Sequence, residues 1–132
     1  MVLSIKHILV VDDEAEFVNP ICRHLKREGF LMDSAFSVEE ARRKIDDSTR
    51  IRIPYDLLIT EVVRPNLEAI EILQWIKKNH PEVSVILISE FGDADMPGEI
   101  MREDLDRYAK KPLTPQKMIG LINSLSQNRV KS

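Results

Sequence analysis

The chain has 132 residues, of which 43% are hydrophobic and 31% are charged, and its formal net charge is −3 at pH 7. This length and balance predict one folded domain and exclude a disordered chain, with no room in these residues for a second domain. The acidic balance argues against non-specific binding to nucleic acid, which depends on neutralising phosphates, and favours a protein partner.

The apolar segments are all shorter than the roughly 20 residues that a membrane-spanning helix needs. The first residues lack the cationic stretch followed by a long apolar core that is typical of a secretory signal. We therefore expect a cytoplasmic protein that does not enter the membrane. Cys22 is the only cysteine, which excludes an intrachain disulfide, and we expect it to pack in the core.

Short apolar runs alternate with amphipathic segments along the whole chain, which predicts five strands and five helices. The strands are expected near 7–12, 30–36, 56–61, 83–88 and 106–110, and the helices near 15–28, 38–48, 67–79, 97–104 and 115–126. Such βα repetition predicts an α/β, doubly wound parallel sheet with helices on both faces. The domain would span 1–132, with a core over 5–126 and a short polar tail over 127–132.

Local signals support several of these boundaries. Ser37 and Glu40 have the spacing of a capping box, Gly29 is suited to the left-handed residue that closes a helix, and Thr114 precedes a first-turn proline. Asp56 opens the third strand at the far edge of the sheet, where we expect a structural or solvated role. The basic triplet Arg42-Arg43-Lys44 is expected to form a solvated helix face.

Polar residues follow four of the predicted strands. Asp12 and Asp13 end the first strand, Glu61 the third, Ser89 the fourth and Lys111 the fifth. Because the functional crevice of an open parallel α/β sheet lies at the carboxyl ends of its strands, we expect these side chains to converge. Acids, a hydroxyl and an ammonium together can bind Mg²⁺ and a phosphoryl oxygen.

These strand ends lie in four motifs: ILVVDDE at 8–14, YDLLITEVVRP at 55–65, VSVILISE at 83–90 and YAKKPL at 108–113. In this order, they resemble the receiver (CheY-like) domain of two-component response regulators, and the resemblance covers residues 5–126. It implies a flavodoxin-like sheet with strand order 2-1-3-4-5. It also implies a signalling protein of a phosphorelay, not an enzyme.

The resemblance further implies roles for individual residues. Asp12 and Asp13 match the acidic pair that binds Mg²⁺, and the ligand set is completed by Glu61 and the backbone carbonyl of Val63. Glu61 also falls on the phosphoacceptor position. The phosphoryl-binding and switch positions are taken by three further residues: Ser89, Lys111 and Tyr108. From the residues alone, Ser89 is also suited to a turn and Tyr108 to ordinary packing.

The sequence departs from the family at the acceptor, where Glu61 replaces aspartate. One extra methylene moves the carboxylate about 1.5 Å from the backbone. A shift of that size can cost ~100-fold when reacting groups must be aligned. Glu90 is a second departure, because the family usually has a small residue there. A carboxylate that faces the site would repel a phosphodonor, whereas one that points to solvent would not.

Three hypotheses follow. The first is an atypical receiver that acts without phosphorylation, or is constitutively biased, through the face formed by the last two predicted helices and the strand between them. Its partner would be a sensor histidine kinase, a downstream signalling protein or a second copy in a homodimer on that face, without direct contact to nucleic acid or membrane. The second is a working acceptor that uses Glu61. The third is a Mg²⁺-dependent phosphohydrolase on the same fold.

Overall fold

The structure is a computed structural model that describes residues 5–12, 15–62, 67–89, 107–110 and 114–128. Its strands are β1 (His7–Val11), β2 (Leu31–Ala35), β3 (Leu57–Val62), β4 (Ser84–Ser89) and β5 (Arg107–Lys110). Its helices are α1 (Ala15–Arg27), α2 (Val38–Arg50), α3 (Leu67–Asn79) and α4 (Pro115–Asn128). The helix predicted near 97–104 lies outside the described residues. No helix in the described ranges is long and apolar enough to cross a membrane.

The five strands form one parallel sheet in the order β2-β1-β3-β4-β5. This confirms the predicted α/β class and the flavodoxin-like strand order. Each observed strand boundary lies within one residue of its predicted position. Continuous apolar runs predicted the strand positions well, because a strand that is covered by helices on both faces of the sheet has no side that faces solvent.

The two faces of the sheet carry separate halves of the core. From β1, Ile8 and Val10 pack against α1 and α4, while Leu9 and Val11 pack against α2 and α3. Three of these four side chains are fully buried, and Val11 is nearly so. Burying an aliphatic side chain of this size stabilises the fold by about 1.5–3 kcal/mol. The alternation along one strand therefore holds helices to both sides of the sheet.

The helix boundaries follow the predicted local signals. Gly29 has a φ of 100°, the left-handed region that glycine enters without a Cβ penalty, directly after the turn that closes α1. The Ser37 hydroxyl accepts the Glu40 N–H at 3.1 Å, and the Thr114 hydroxyl accepts the Lys117 N–H at 3.2 Å. Helix α4 ends at Asn128, two residues beyond the end predicted near 126.

Asp56 anchors the amino end of the sheet, as its predicted structural role required. Its Oδ2 accepts the backbone N–H of Lys6 at 2.9 Å and of His7 at 3.0 Å. Its own N–H donates to the His7 carbonyl at 2.8 Å. A residue that precedes β3 therefore sets the start of β1.

Candidate functional site

Asp12 is a buried carboxylate at the carboxyl end of a central strand. It directly follows β1 and is 5% exposed. Its N–H donates to the Ala35 carbonyl at 3.1 Å, which fixes its backbone against the end of β2. Burial of a carboxylate is costly unless the group is paired or bound to a metal. Its burial at a strand end makes Asp12 a candidate site residue.

The sheet register brings the other candidate strand ends to the same edge. Val11 pairs with Thr60, so Asp12 and Glu61 both follow one paired position on adjacent strands. Glu61 pairs with Ile88, which directly precedes Ser89 in β4. The described backbone thus places Asp12, Glu61 and Ser89 on three consecutive strands of the sheet order β1-β3-β4.

The remaining candidates are only partly within the described chain. Tyr108 lies in β5, where its backbone pairs with Leu87. Asp13, Val63 and Lys111 lie outside the described residues. The roles of all these residues in binding Mg²⁺ or a phosphoryl group therefore stay predictions.

The candidate ligand set fits Mg²⁺ in its chemistry. Asp12, Asp13, Glu61 and the carbonyl of Val63 would supply only oxygen donors, which this hard cation prefers. Only one of these carboxylates, that of Asp12, is among the described side chains. Within the described part of the chain, no group of three histidine, cysteine, aspartate or glutamate residues is arranged to hold a metal ion.

The chain matches a known protein family along most of its length. The response regulator receiver domain family matches residues 8–123, which is most of the chain and includes all the candidate site residues. The chain belongs to this family. It is a response regulator receiver domain of the kind found in two-component systems.

Curated relatives of this receiver domain are longer regulators. The transcriptional regulatory protein ResD of Bacillus subtilis is 26% identical over 118 residues, which cover 89% of this chain and 47% of ResD. The transcriptional regulatory protein CssR of the same organism is 29% identical over 121 residues, which cover 91% of this chain and 51% of CssR. The chain thus spans about half the length of these relatives.

Solved structures support the same fold. A response regulator receiver domain from Clostridium thermocellum is 32% identical with a TM-score of 0.77, covering 93% of this chain and 95% of that one. A CheY-like receiver domain from Methanospirillum hungatei is 22% identical with a TM-score of 0.81, covering 96% and 97%. The beryllofluoride-activated NtrC4 receiver domain is 23% identical with a TM-score of 0.79, covering 94% and 98%.

The receiver domain has a further polar cluster, which the sequence interpretation missed. It is centred on Asp33 in the edge strand β2. The Tyr55 hydroxyl donates to Asp33 Oδ2 at 2.6 Å, and Lys44 Nζ donates to Asp33 Oδ1 at 3.1 Å. The Ser34 N–H donates to the same Oδ1 at 2.8 Å. Three donors therefore converge on one half-buried carboxylate.

These contacts and the burial of the cluster shift the pKa values of the Asp33 carboxyl and the Tyr55 hydroxyl. Burial opposes ionisation of Asp33, but the hydrogen bonds from Tyr55, Lys44 and Ser34 outweigh it, and its pKa lies below the usual value. Burial, followed by the hydrogen bond to Asp33, raises the pKa of the Tyr55 hydroxyl. At neutral pH, Asp33 is thus an anion and Tyr55 its neutral donor.

The solvated face predicted for Arg42-Arg43-Lys44 is wrong at two of its three residues. The Lys44 side chain is 32% exposed and binds Asp33, while the Arg42 guanidinium lies over the Trp75 ring, 5.7 Å from its centroid. Only Arg43 is exposed. The signal that could have found this cluster is the charged Asp33 in the middle of an otherwise half-buried strand.

Two further residues are structural in this receiver domain. Cys22 is half-buried against the core on α1, as predicted, and burial raises the pKa of its thiol. His80 is buried between α2 and α3, with Nε2 3.0 Å from Asp46 Oδ1 and its ring 5.1 Å from that of Trp75. The sequence interpretation did not single out His80, because its contact with Asp46 joins residues that are 34 positions apart in the chain.

Proposed function

We propose that this receiver domain signals through protein contacts without being phosphorylated, because Glu61 stands where the family has its acceptor aspartate. The observation that carries the proposal is the identity of Glu61 at the end of β3, beside the buried Asp12 at the end of β1. Asp12, Asp13, Ser89 and Lys111 keep the residue types of a phosphoryl site. The exchange at position 61 falls on the residue that would form the covalent bond, and Glu90, directly after Ser89, is the second departure.

Glutamate alters the chemistry in two ways. Its longer side chain displaces the nucleophilic oxygen by about 1.5 Å, and phosphoryl transfer depends on aligned reacting atoms. The same projecting carboxylate imitates part of an aspartyl phosphate, with one negative charge in place of about −1.5 to −2. Both effects favour a domain whose state is set without a phosphodonor.

The other residues of the proposed site would keep their roles in the unphosphorylated domain. Asp12, Asp13, Glu61 and the carbonyl of Val63 would hold Mg²⁺, which would neutralise the clustered carboxylates. Lys111 would pair with the Glu61 carboxylate, while Ser89 and Tyr108 would occupy the switch positions. A bias toward the active state is limited by the free-energy difference that Glu61 supplies between the two states.

The partner in this proposal is a sensor histidine kinase or a downstream signalling protein. It would bind the face built from the predicted helix near 97–104, β5 and α4, where a second copy could also dock. ResD and CssR are named transcriptional regulatory proteins, and each is about twice as long as this chain. A signalling role for the receiver domain agrees with the names of these relatives.

The proposal can be tested with beryllofluoride, which activates the related NtrC4 receiver domain. We expect the ¹H–¹⁵N amide spectrum of the wild type with Mg²⁺ to be unchanged by beryllofluoride. In Glu61→Asp, the same additions should shift the amides of Ser89 and of its neighbours in β5. Asp12→Asn in the Glu61→Asp background is the control and should abolish those shifts. A beryllofluoride-dependent shift in the wild type would overturn the proposal.

A further inference from the structure

The loop between α2 and β3 exposes two isoleucines at the amino end of the sheet. Ile51 is 64% exposed and Ile53 is 52% exposed, with Arg52 between them. Arg52 has a φ of 64°, a left-handed conformation that glycine adopts without strain and arginine does not. The fold thus holds a cationic side chain, under backbone strain, between two exposed aliphatic side chains.

The backbone N–H groups of this loop are bonded inside the protein. Three successive residues donate to carbonyls near the end of α2, at 3.0, 3.2 and 2.9 Å: Ile51 to Asp47, Arg52 to Thr49 and Ile53 to Ser48. Pro54, which follows, has no N–H. An incoming strand would find no available donor among residues 51–54, whereas an apolar phase could take up this loop without leaving a donor unsatisfied.

Leu31 adds a third exposed aliphatic side chain at the same end and on the same face of the sheet. It begins β2 and is 60% exposed. Alternate side chains of a strand share a face, so Leu31 lies on the side of Ala35, which packs in the core beneath α2. We call Leu31, Ile51 and Ile53 the amino-end apolar patch.

A cavity of about 310 Å³ is lined by Ile51 and Ile53 and by the rings of His7 and Tyr55. The polar side chains around it bond within the protein: Tyr55 and Lys44 to Asp33, Ser48 to the Ile45 carbonyl, Asp47 to Arg50, and His7 to the Pro54 carbonyl. Because these polar groups already have partners, the cavity suits a hydrocarbon chain better than a polar ligand.

The end of the sheet that carries the patch is cationic. Helices that connect parallel strands run opposite to them, so the last turns of α1, α2 and α3 lie at the amino end. These turns carry basic residues: His24, Lys26 and Arg27 in α1, Arg50 in α2, and Lys77 and Lys78 in α3. The exposed acids Glu28 and Glu82 lie among them and are outnumbered. This end of the domain therefore has the opposite sign to the net charge of the chain.

We propose that the amino-end apolar patch binds the surface of an anionic phospholipid bilayer. The three aliphatic side chains would enter the headgroup boundary, while Arg52 and the cations at the helix ends would meet lipid phosphates. The apolar runs of this chain are too short to span a bilayer, but a surface contact needs no spanning segment. Because Glu61 lies toward the other end of β3, this contact does not depend on the chemistry proposed there.

Co-sedimentation with lipid vesicles tests the proposal. The wild type should bind vesicles that contain phosphatidylglycerol, less tightly as the salt concentration rises, and should not bind vesicles of phosphatidylcholine alone. The double variant Ile51→Ser with Ile53→Ser should bind the anionic vesicles about tenfold more weakly. Phe36→Ser is the matched control and should bind as the wild type does, because Phe36 is 41% exposed just beyond the other end of β2.

Arg52→Gly separates binding from folding. It removes the cation and also the left-handed strain, so vesicle binding should fall about fivefold while the urea midpoint of unfolding rises. Arg43→Gln removes the same charge from the exposed middle of α2 and should leave binding unchanged. A wild type that does not bind the anionic vesicles would overturn the proposal. Full binding by the double serine variant would also overturn it, since the face would then attract polyanions by charge alone.

Discussion

The two aspartates Asp12 and Asp33 lie on neighbouring strands and show different uses of a carboxylate. Asp12 is buried directly after β1, where we propose a phosphoryl site. Asp33 lies in the middle of β2, where Tyr55, Lys44 and a backbone N–H hold it in place. The comparison shows that a buried carboxylate at a strand end is a candidate site residue, whereas the carboxylate within the edge strand is held by hydrogen bonds and serves the structure.

The largest expected effect is a loss of stability when a side chain is removed from the central strand β1, compared with the edge strand β2. Leu9→Ala removes a fully buried side chain from β1 and should lower the free energy of unfolding by about 2–5 kcal/mol. Leu31→Ala at the exposed start of β2 should change it by less than about 0.5 kcal/mol. Urea denaturation of the two variants measures both values. Comparable losses would contradict the exposed position of Leu31 on the edge strand.

A smaller effect is expected inside the Asp33 cluster. Tyr55→Phe removes the hydroxyl that donates to Asp33 and keeps the ring, so it should lower the free energy of unfolding by about 1 kcal/mol. A double-mutant cycle with Asp33→Asn, measured by urea denaturation, should show that the two losses are not additive. Additive losses would mean that the 2.6 Å hydrogen bond contributes little to stability.

The smallest effect concerns pH, and its sign follows from the lowered pKa of Asp33. The contribution of ionised Asp33 is complete above the unfolded value of about 3.9 and is lost as the pH falls through the lower folded value. The stability difference between wild type and Asp33→Asn should therefore be constant near neutrality and shrink below about pH 4. A difference that grows on acidification would contradict the assigned direction of the shift.

The sequence predicted the elements of the sheet better than the contacts between them. The strand boundaries followed from apolar runs, and caps such as Ser37 and Gly29 acted over a few neighbouring residues. The roles of Lys44 and His80 could not be predicted in this way, because each depends on residues that only the tertiary fold brings close. A charged residue on a helix looks the same to periodicity whether it faces water or an edge strand.

For the candidate site, the sequence likewise predicted the backbone positions but not the side-chain contacts. Asp12, Glu61 and Ser89 could be assigned to one edge because parallel strands end together, and the register places their backbones there. What these residues bind and whether Glu61 reacts depend on side-chain positions and on electrostatics. Binding and reactivity change when side-chain atoms move by about 1 Å, and a sequence motif does not specify atomic positions that finely.

The central claim is that glutamate at position 61, where the family has aspartate, is sufficient to prevent phosphorylation of this domain. Intact mass spectrometry after incubation with a small-molecule phosphodonor and Mg²⁺ tests it most directly. The account predicts no mass gain for the wild type and the gain of one phosphoryl group for Glu61→Asp. Glu61→Gln is the matched control and should gain none. A phosphoryl group on wild-type Glu61, or none on Glu61→Asp, would contradict the account.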